Sequence, residues 1–539
     1  MKKRFLIIFM MLFCVLTHTQ DLPEIIPPSP TAFELAKYGD IPINESTGMA
    51  NINIPFFNYS LGEINVGISL DYATSGIKVD QVASWVGMGW NLNAGGVITR
   101  TVRGNADELY TQKYNNSFLG IQSLYNQNNS YYYSFLAEVN DAKDRSNDYE
   151  PDIYNFNIGG FSGTFILDES SQPLLLKRDN QSKIEKVTNG FQITTTNGVV
   201  YLFTDKEYNS VRSTCAKGGA SLAEKVVSAW YLTKITALNG DEVLFHYTDN
   251  NFIYASGYTS GYSKVYSTYS GVKKCEKAEI PESPGIQNCV LYSYLKNKKI
   301  TSITNNRNDH KIVFSNSANR IDLPNPALKL DKVSLFKGTS LIKAYDLNYQ
   351  TVTSVHNTHN TLLTSNEYKK RLFLKDVLEL SKEDSNIGGK KYAFEYNQPN
   401  DLPPRFSFAQ DLLGFYNGKN GNASLLPKTN DVPDGAALGY THGNRSSDFT
   451  SASRGLLTKV IYPTKGTTTL EFEPDAEIIT DYSYQQSNFN LAANSETNNI
   501  NIQQITNLFN QKIRIRSDVN VLDDGQDNVH NRMLYSVKD

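Results

Sequence analysis

Residues Ala83 to Tyr110 read ASWVGMGWNLNAGGVITRTVRGNADELY, and the chain is organised around them. Two of the three tryptophans, Trp85 and Trp90, bracket Gly87 and Gly89, and Gly95 and Gly96 follow at once. Large rings set beside glycines predict a backbone that turns, or meets another strand at close range, where a Cβ would not fit. Trp85, Gly87, Gly89, Trp90, Gly95 and Gly96 are therefore structural candidates, not catalytic ones.

Outward from this block the pattern is strand after strand. Ile64, Val66, Ile68, Leu70 and Tyr72 alternate with Glu63, Asn65, Gly67, Ser69 and Asp71, the two-residue period of a half-buried strand. Ile52 and Ile54 alternate likewise until Pro55 ends the run, and Ser60-Leu61-Gly62 supplies a turn, so an antiparallel hairpin is expected. Downstream, Thr111 to Asp152 is rich in Asn, Tyr, Ser and Asp and reads as an excursion between elements. From Tyr154 to Asp205, FNIGGFSGTFILDE and ITTTNGVVYLF read as further hairpins, the second turning at Asn197-Gly198.

From Trp230 a degenerate repeat begins, and it decides the architecture. Leu232-Thr233-Lys234-Ile235 leads through Asn239-Gly240 to Phe245 and Tyr247; Leu457-Thr458-Lys459-Val460 leads through Lys465-Gly466 to Leu470 and Phe472. Looser copies occupy Lys299 to Phe314, Leu330 to Tyr349 and Leu374 to Tyr396. Each copy reads as an apolar strand, a polar turn and a strand ending in aromatics. Because one hairpin is only marginally stable, the copies are expected to pair into a coiled or wrapped sheet.

The Trp-x-Gly-x-Gly-Trp-x-Leu core, the Gly-Gly-Val-Ile-Thr-Arg strand and Gly104-x-x-Asp107-Glu108 resemble the N-terminal region of secreted Rhs/YD-repeat proteins of Bacteroidetes type. More distantly, the block is similar to the start of the B component of insecticidal toxin complexes. The repeated hairpins resemble YD-repeat shells without the strict Tyr-Asp dipeptide, and AQDLLGFYNGKNGNASLLP at Ala409 to Pro427 resembles an Asp-x-x-Gly-Phe-Tyr-Asn-Gly loop of the family. The resemblance covers most of residues 30 to 475 and implies an extracellular β scaffold, the front of a shell that in full-length members encloses a toxic segment. No self-cleavage motif or toxin end is recognised, so the chain is expected to be a stand-alone scaffold or a split gene product. Partners implied are other shell segments or cell-surface protein or glycan.

Composition agrees with an exported β-rich chain. Of 539 residues, 33 are Tyr, 26 Phe and 35 Gly, which suits strands and tight turns. The formal charge of −3, without a long basic block, gives nucleic-acid binding no support. Lys2, Lys3 and Arg4 precede twelve apolar residues, Phe5 to Leu16, a run short for a bilayer span and right for a signal peptide cleaved near Gln20. The expected location is secreted or cell surface, with periplasm open, and membrane contact is expected only through that signal. Four regions follow: 1–20 signal; 21–229 an N-terminal β domain; 230–474 the hairpin repeats; 475–539 an Asn/Gln-rich tail with a short helix within Ile500 to Ile515 and the start of a further module.

Three cysteines remain after the signal. Cys275 with Cys289 would close a short Pro- and Gly-containing loop, stabilising by about 3 kcal/mol for such a ring; Cys215 could instead take one of them, or all three could be unpaired thiols. The chemical motifs are sparse. His356 and His359 have H-x-x-H spacing without a third ligand nearby and read as solvated loop residues, and the acidic runs Asp141 to Asp152 and Asp523 to Asp527 lack calcium-loop spacing. No metal, cofactor or nucleophile motif is recognised. Tyr254, Tyr258, Tyr262, Tyr266 and Tyr269 recur among Ser, Gly and Thr as a surface insertion, the place where glycan or a partner protein would stack, with Tyr254, Tyr258 and Tyr262 the first candidates. The expectation is a non-enzymatic all-β scaffold, with an adhesin or glycan-binding module as the alternative.

Overall fold

The computed structural model describes residues 51–474 except 74, 105, 109–110, 113–146, 149–150, 169, 177–181, 216–225, 264–284, 325, 382–389 and 428–440. The chain divides into two compact units, residues 1–473 and 474–539, and all the described residues but Pro474 lie in the first. The expected signal peptide, the Asn/Gln-rich tail with its expected helix, most of the Thr111 to Asp152 excursion, Cys275, Tyr266 and Tyr269 lie outside the described residues.

The fold is all-β. Strands β1 (Asn51–Leu61), β2 (Ile64–Ala73) and β3 (Trp90–Ala94) form a three-stranded antiparallel sheet in that order. The expected first hairpin is β1–β2, turning at Gly62 with φ +57. Pro55 does not end its strand: β1 runs through it, with a register shift between Pro55 and Phe57, where the missing N–H is accommodated by the irregularity. Nor does the alternation of β2 expose every second residue, since Ser69 and Asp71 are buried. Asn53 Nδ2 donates to Asp71 Oδ1 at 2.5 Å, and burial pushes that carboxyl above its usual range.

Strand β4 (Gly96–Thr101) follows, then the short parallel pair β5 (Thr111–Gln112) and β6 (Asn147–Asp148), and then β7 (Ile153–Ile158), β8 (Phe161–Leu167) and β9 (Pro173–Leu175). β4, β7, β8 and β9 pair antiparallel in that order. A long meander comes next: β10 (Lys183–Val187), β11 (Gly190–Thr194), β12 (Val200–Ser213), β13 (Val226–Thr236), β14 (Glu242–Ser263), β15 (Gly285–Asn305), β16 (His310–Ser317), β17 (Lys329–Lys337), β18 (Ser340–Thr353), β19 (Lys370–Ser381), β20 (Lys390–Tyr396), β21 (Leu457–Ile461) and β22 (Thr467–Thr469). Each of these pairs antiparallel with the next, and β4 joins them by lying against β13 through Val97 to Thr99.

All five copies of the repeat are therefore hairpins of one sheet: β13–β14, β15–β16, β17–β18, β19–β20 and β21–β22. The 229/230 boundary expected between an N-terminal domain and the repeats falls inside β13, and the sheet runs through it without a break. One closure was not foreseen. β12 pairs with β13, β13 with β14, β14 with β15, and β15 returns to β12 through Tyr208 to Ser213, so four strands form a closed circuit.

The core lies between the two sheets. Phe56 stacks on Tyr345 at 4.4 Å, and Trp90 sits between Tyr72 at 5.2 Å and Phe394 at 4.5 Å. Each large ring removed from water in this way stabilises the fold by about 2–3 kcal/mol.

Candidate functional site

The Trp-Gly block is where the repeats converge. Trp85 O accepts from Leu330 N at 2.9 Å, Met88 N donates to Leu372 O at 2.8 Å, and Trp90 Nε1 donates to Tyr396 Oη at 2.8 Å. Next to it, Tyr72 Oη accepts from Leu457 N at 2.9 Å. One short stretch thus holds β17, β19, β20 and β21 by hydrogen bonds to residues more than two hundred positions away. The glycines are there because the approach is close. A Cβ at Gly87 (φ +106) would lie 2.8 Å from Leu374 N, and one at Gly89 (φ +76) would lie 2.5 Å from the Tyr72 ring. Gly95 and Gly96 sit against Phe245 and the Asn157 carbonyl in the same fashion.

Within the hairpins a second device repeats. Tyr247 Oη donates to Leu232 O at 2.7 Å, Tyr349 Oη to Leu330 O at 2.5 Å, and Tyr396 Oη to Leu374 O at 2.6 Å. In each case the tyrosine that ends the copy of the repeat clasps the leucine that opens it, across the paired strands. Burial pushes all three hydroxyls above their usual range, so they stay neutral donors. In the other two copies the same place is held by Phe314 and Phe472, which have no hydroxyl.

Buried cations hold the segment that leads into the block. Arg320 donates to Ala83 O and Ser84 O, both at 3.0 Å, and pairs with Asp322. Arg371 donates to Val79 O at 2.7 Å, Gln81 O at 3.2 Å and Pro403 O at 3.0 Å. Lys299, buried with its Nζ 5.3 Å over the Trp85 ring, is pushed down to about 7 by burial, against the pull of Glu207 and with the push of Arg320. Glu207 itself accepts from Ser228 Oγ at 2.9 Å and Tyr231 Oη at 3.1 Å. Cavities of about 20 and 40 Å³ flank Trp85 and Lys299, room for water and nothing larger. Sequence reasoning missed these cations; no motif marks a lysine or arginine whose burial depends on strands far away in the chain.

Another buried ion pair, Arg100 with Asp152, closes the base of the Thr111 to Asp152 excursion. Arg100 Nε donates to Asp152 Oδ2 at 2.7 Å and its Nη1 to Glu108 Oε1 at 2.9 Å, while Asp152 also accepts from the Arg103 and Asp107 amides.

Two expected sites are corrected. Tyr254, Tyr258 and Tyr262 do not lie on a loop; they belong to β14, which runs to Ser263. Tyr254 and Tyr258 are buried, the first with Leu295 and Leu323, the second against Phe408 at 5.5 Å, and Tyr262 is half-buried. The glycan-binding reading thereby loses Tyr254 and Tyr258, two of its three first candidates. Cys289 pairs with Cys215, not with Cys275: the Cα atoms are 5.4 Å apart because β12 and β15 are neighbours, and the ring spans 74 residues. Among the described residues no cysteine is free and no cluster of His, Cys, Asp and Glu could hold a metal. His359 is exposed, but His356 is tied: its Nε2 lies 2.7 Å from Asp401 Oδ1 and 3.3 Å from Tyr416 Oη.

No family model matches the chain, and no curated protein matches it. Among solved structures it is similar to the TcdB2-TccC3 toxin assembly, at 9% identity and a TM-score of 0.29, over 71% of this chain and 18% of that one. It is also similar to the Photorhabdus luminescens Tc holotoxin pore, at 10% identity and a TM-score of 0.28, over 65% and 16%. A third likeness is to the N-terminal domain of the effector SpvB from Salmonella typhimurium strain LT2, at 9% identity and a TM-score of 0.25, over 61% and 98%. This chain spans under a fifth of the length of the first two. TM-scores below 0.5 leave its function to be argued from its own residues.

Proposed function

We propose that this protein is an exported, non-enzymatic scaffold of the Rhs/YD kind, the front portion of a β shell. The observation that carries the reading is the convergence on the Trp-Gly block and the neighbouring Tyr72: β17, β19, β20 and β21, strands of three different hairpins, are hydrogen-bonded to one N-terminal segment, an arrangement that fixes the curvature of a growing sheet. The last strand supports it. Thr467, Thr468 and Thr469 of β22 are exposed, and among the described residues β22 pairs only with β21, which leaves an edge on which another hairpin can be laid. Glu207, Arg320 and Arg371 are engaged in holding the chain's own backbone and side chains, as scaffold residues are. The apolar run after Lys2, Lys3 and Arg4 and the Cys215–Cys289 bridge support export to an oxidising compartment.

The test is to read the DNA after the Asp539 codon in all frames and to purify the neighbouring product together with this one. Further hairpin repeats, in frame or in a neighbour that co-purifies, are the expected result. Unrelated sequence and a protein that purifies alone would overturn the shell reading.

A further inference from the structure

The loop at Asp411 to Phe415, DLLGF, is a tight turn whose sequence contradicts its position. Gly414 N donates to Asp411 O at 3.2 Å, which places Leu412 and Leu413 at the two corner positions, where turns ordinarily carry polar residues or proline. Both leucines project from the fold, with 72% and 71% of their surfaces exposed. Two adjacent exposed leucines on a polar-rich loop call for an explanation.

The turn is rigid and its polar backbone groups are largely satisfied from inside. Asp411, buried, takes the amides of Leu413 at 2.9 Å and Phe415 at 3.0 Å on its Oδ1. Asp411 N donates to Phe415 O at 2.8 Å, Val79 N donates to Gly414 O at 2.9 Å, and Arg445 Nε donates to Asp411 O at 3.1 Å. The base of the tip thus keeps its hydrogen bonds on leaving water, while the Leu412 N–H and the Leu412 and Leu413 carbonyls at the apex would bond to headgroups and water in a bilayer interface. Its neighbours carry the complementary charge. Lys78 is exposed with Nζ 5.7 Å over the Phe415 ring, and Lys419 is exposed on the next turn. The acids of the adjoining segments are engaged: Asp401 by His356 and Arg454, and Asp448 by the Ser451 amide at 2.7 Å.

We propose that the Asp411 to Phe415 turn is a membrane-docking tip that inserts Leu412 and Leu413 into the interface of a bilayer, with Lys78 and Lys419 set against anionic headgroups. The exposed leucines flanked by exposed Lys78 and Lys419 match the apolar interior and anionic headgroups of one surface, a lipid bilayer. The inference stands apart from the scaffold reading, because it rests on this loop alone, and it adds a membrane contact that the cleaved signal does not provide.

The experiment is co-sedimentation of the full mature chain with vesicles of phosphatidylcholine, with and without phosphatidylglycerol. The wild type should bind the phosphatidylglycerol vesicles. The double variant Leu412→Ser, Leu413→Ser should bind at least about tenfold more weakly with an unchanged melting curve, since the lost contact is between exposed leucines and lipid. Lys78→Glu with Lys419→Glu should remove the preference for phosphatidylglycerol. Failure of the wild type to bind either vesicle, or full binding by the serine variant, would overturn the proposal. So would leucine-dependent self-association in the absence of lipid, which would make a second copy the occupant.

Discussion

At the scale of single residues, two glycines of similar backbone conformation separate steric from conformational demand. Gly89 (φ +76) faces the Tyr72 ring, whereas at Gly240 (φ +81), in the β13–β14 turn, a Cβ would point into open space. Gly240→Ala should therefore cost about 1–2 kcal/mol, the left-handed backbone penalty alone. Gly89→Ala should cost about 3 kcal/mol or more, because the same penalty is joined by displacement of a buried ring. Urea unfolding midpoints of the two variants measure the difference. Lys299 makes the second prediction. Its folded pKa, near 7, lies below the unfolded value, so between about pH 7 and 10 the unfolded chain binds the extra proton and stability rises with pH. In Lys299→Met that rise should be smaller by on the order of 3 kcal/mol between pH 7 and 9.5, as read from urea melts at the two pH values. The glycines were legible because spacing alone announces close approach. Lys299, Arg320 and Arg371 were not, because Lys234 and Lys332, which occupy comparable strands, are partly exposed and look the same in sequence.

At the scale of elements, the repeated hairpins were legible from their apolar openings and aromatic ends, and the tyrosine clasp gives that pattern a cause. Tyr349→Phe and Tyr396→Phe should each cost about 1–2 kcal/mol, the price of a buried carbonyl left without its donor. Tyr396→Phe should cost the more of the two, since it also strands Trp90 Nε1; thermal unfolding of both variants decides this. The misread element was β14. Gly, Ser and Thr around the tyrosines suggested a loop, but Gly257 marks a register shift after Ala255, where β14 stays paired to β15. That shift alters the side-chain alternation, so Tyr254 and Tyr258, four residues apart, pack in different apolar clusters. A glycine in a strand and a glycine in a loop are alike until the partner strand is known.

At the scale of the molecule, the all-β character and the wrapped sheet could be read in the sequence, but the four-strand circuit could not, and the disulfide went with it. Sequence proximity favoured Cys275 for Cys289, whereas the return of β15 to β12 brings Cys215 there instead. A non-reducing peptide map should recover a Cys215–Cys289 crosslink, and Cys215→Ser should lose about 4 kcal/mol under oxidising conditions, as expected for a ring of this length. The hydrogen bond from Leu457 N to Tyr72 Oη has a consequence in time. The two residues are 385 positions apart, so at ordinary rates of synthesis Tyr72 emerges roughly 20–80 s before its partner exists. For that interval the Trp-Gly segment is a strand awaiting its sheet, with two tryptophans bare, and a chain of such high contact order closes late and slowly. A nascent chain stopped before Leu457 should consequently be captured by holdase chaperones, and release should follow once the last hairpin is made.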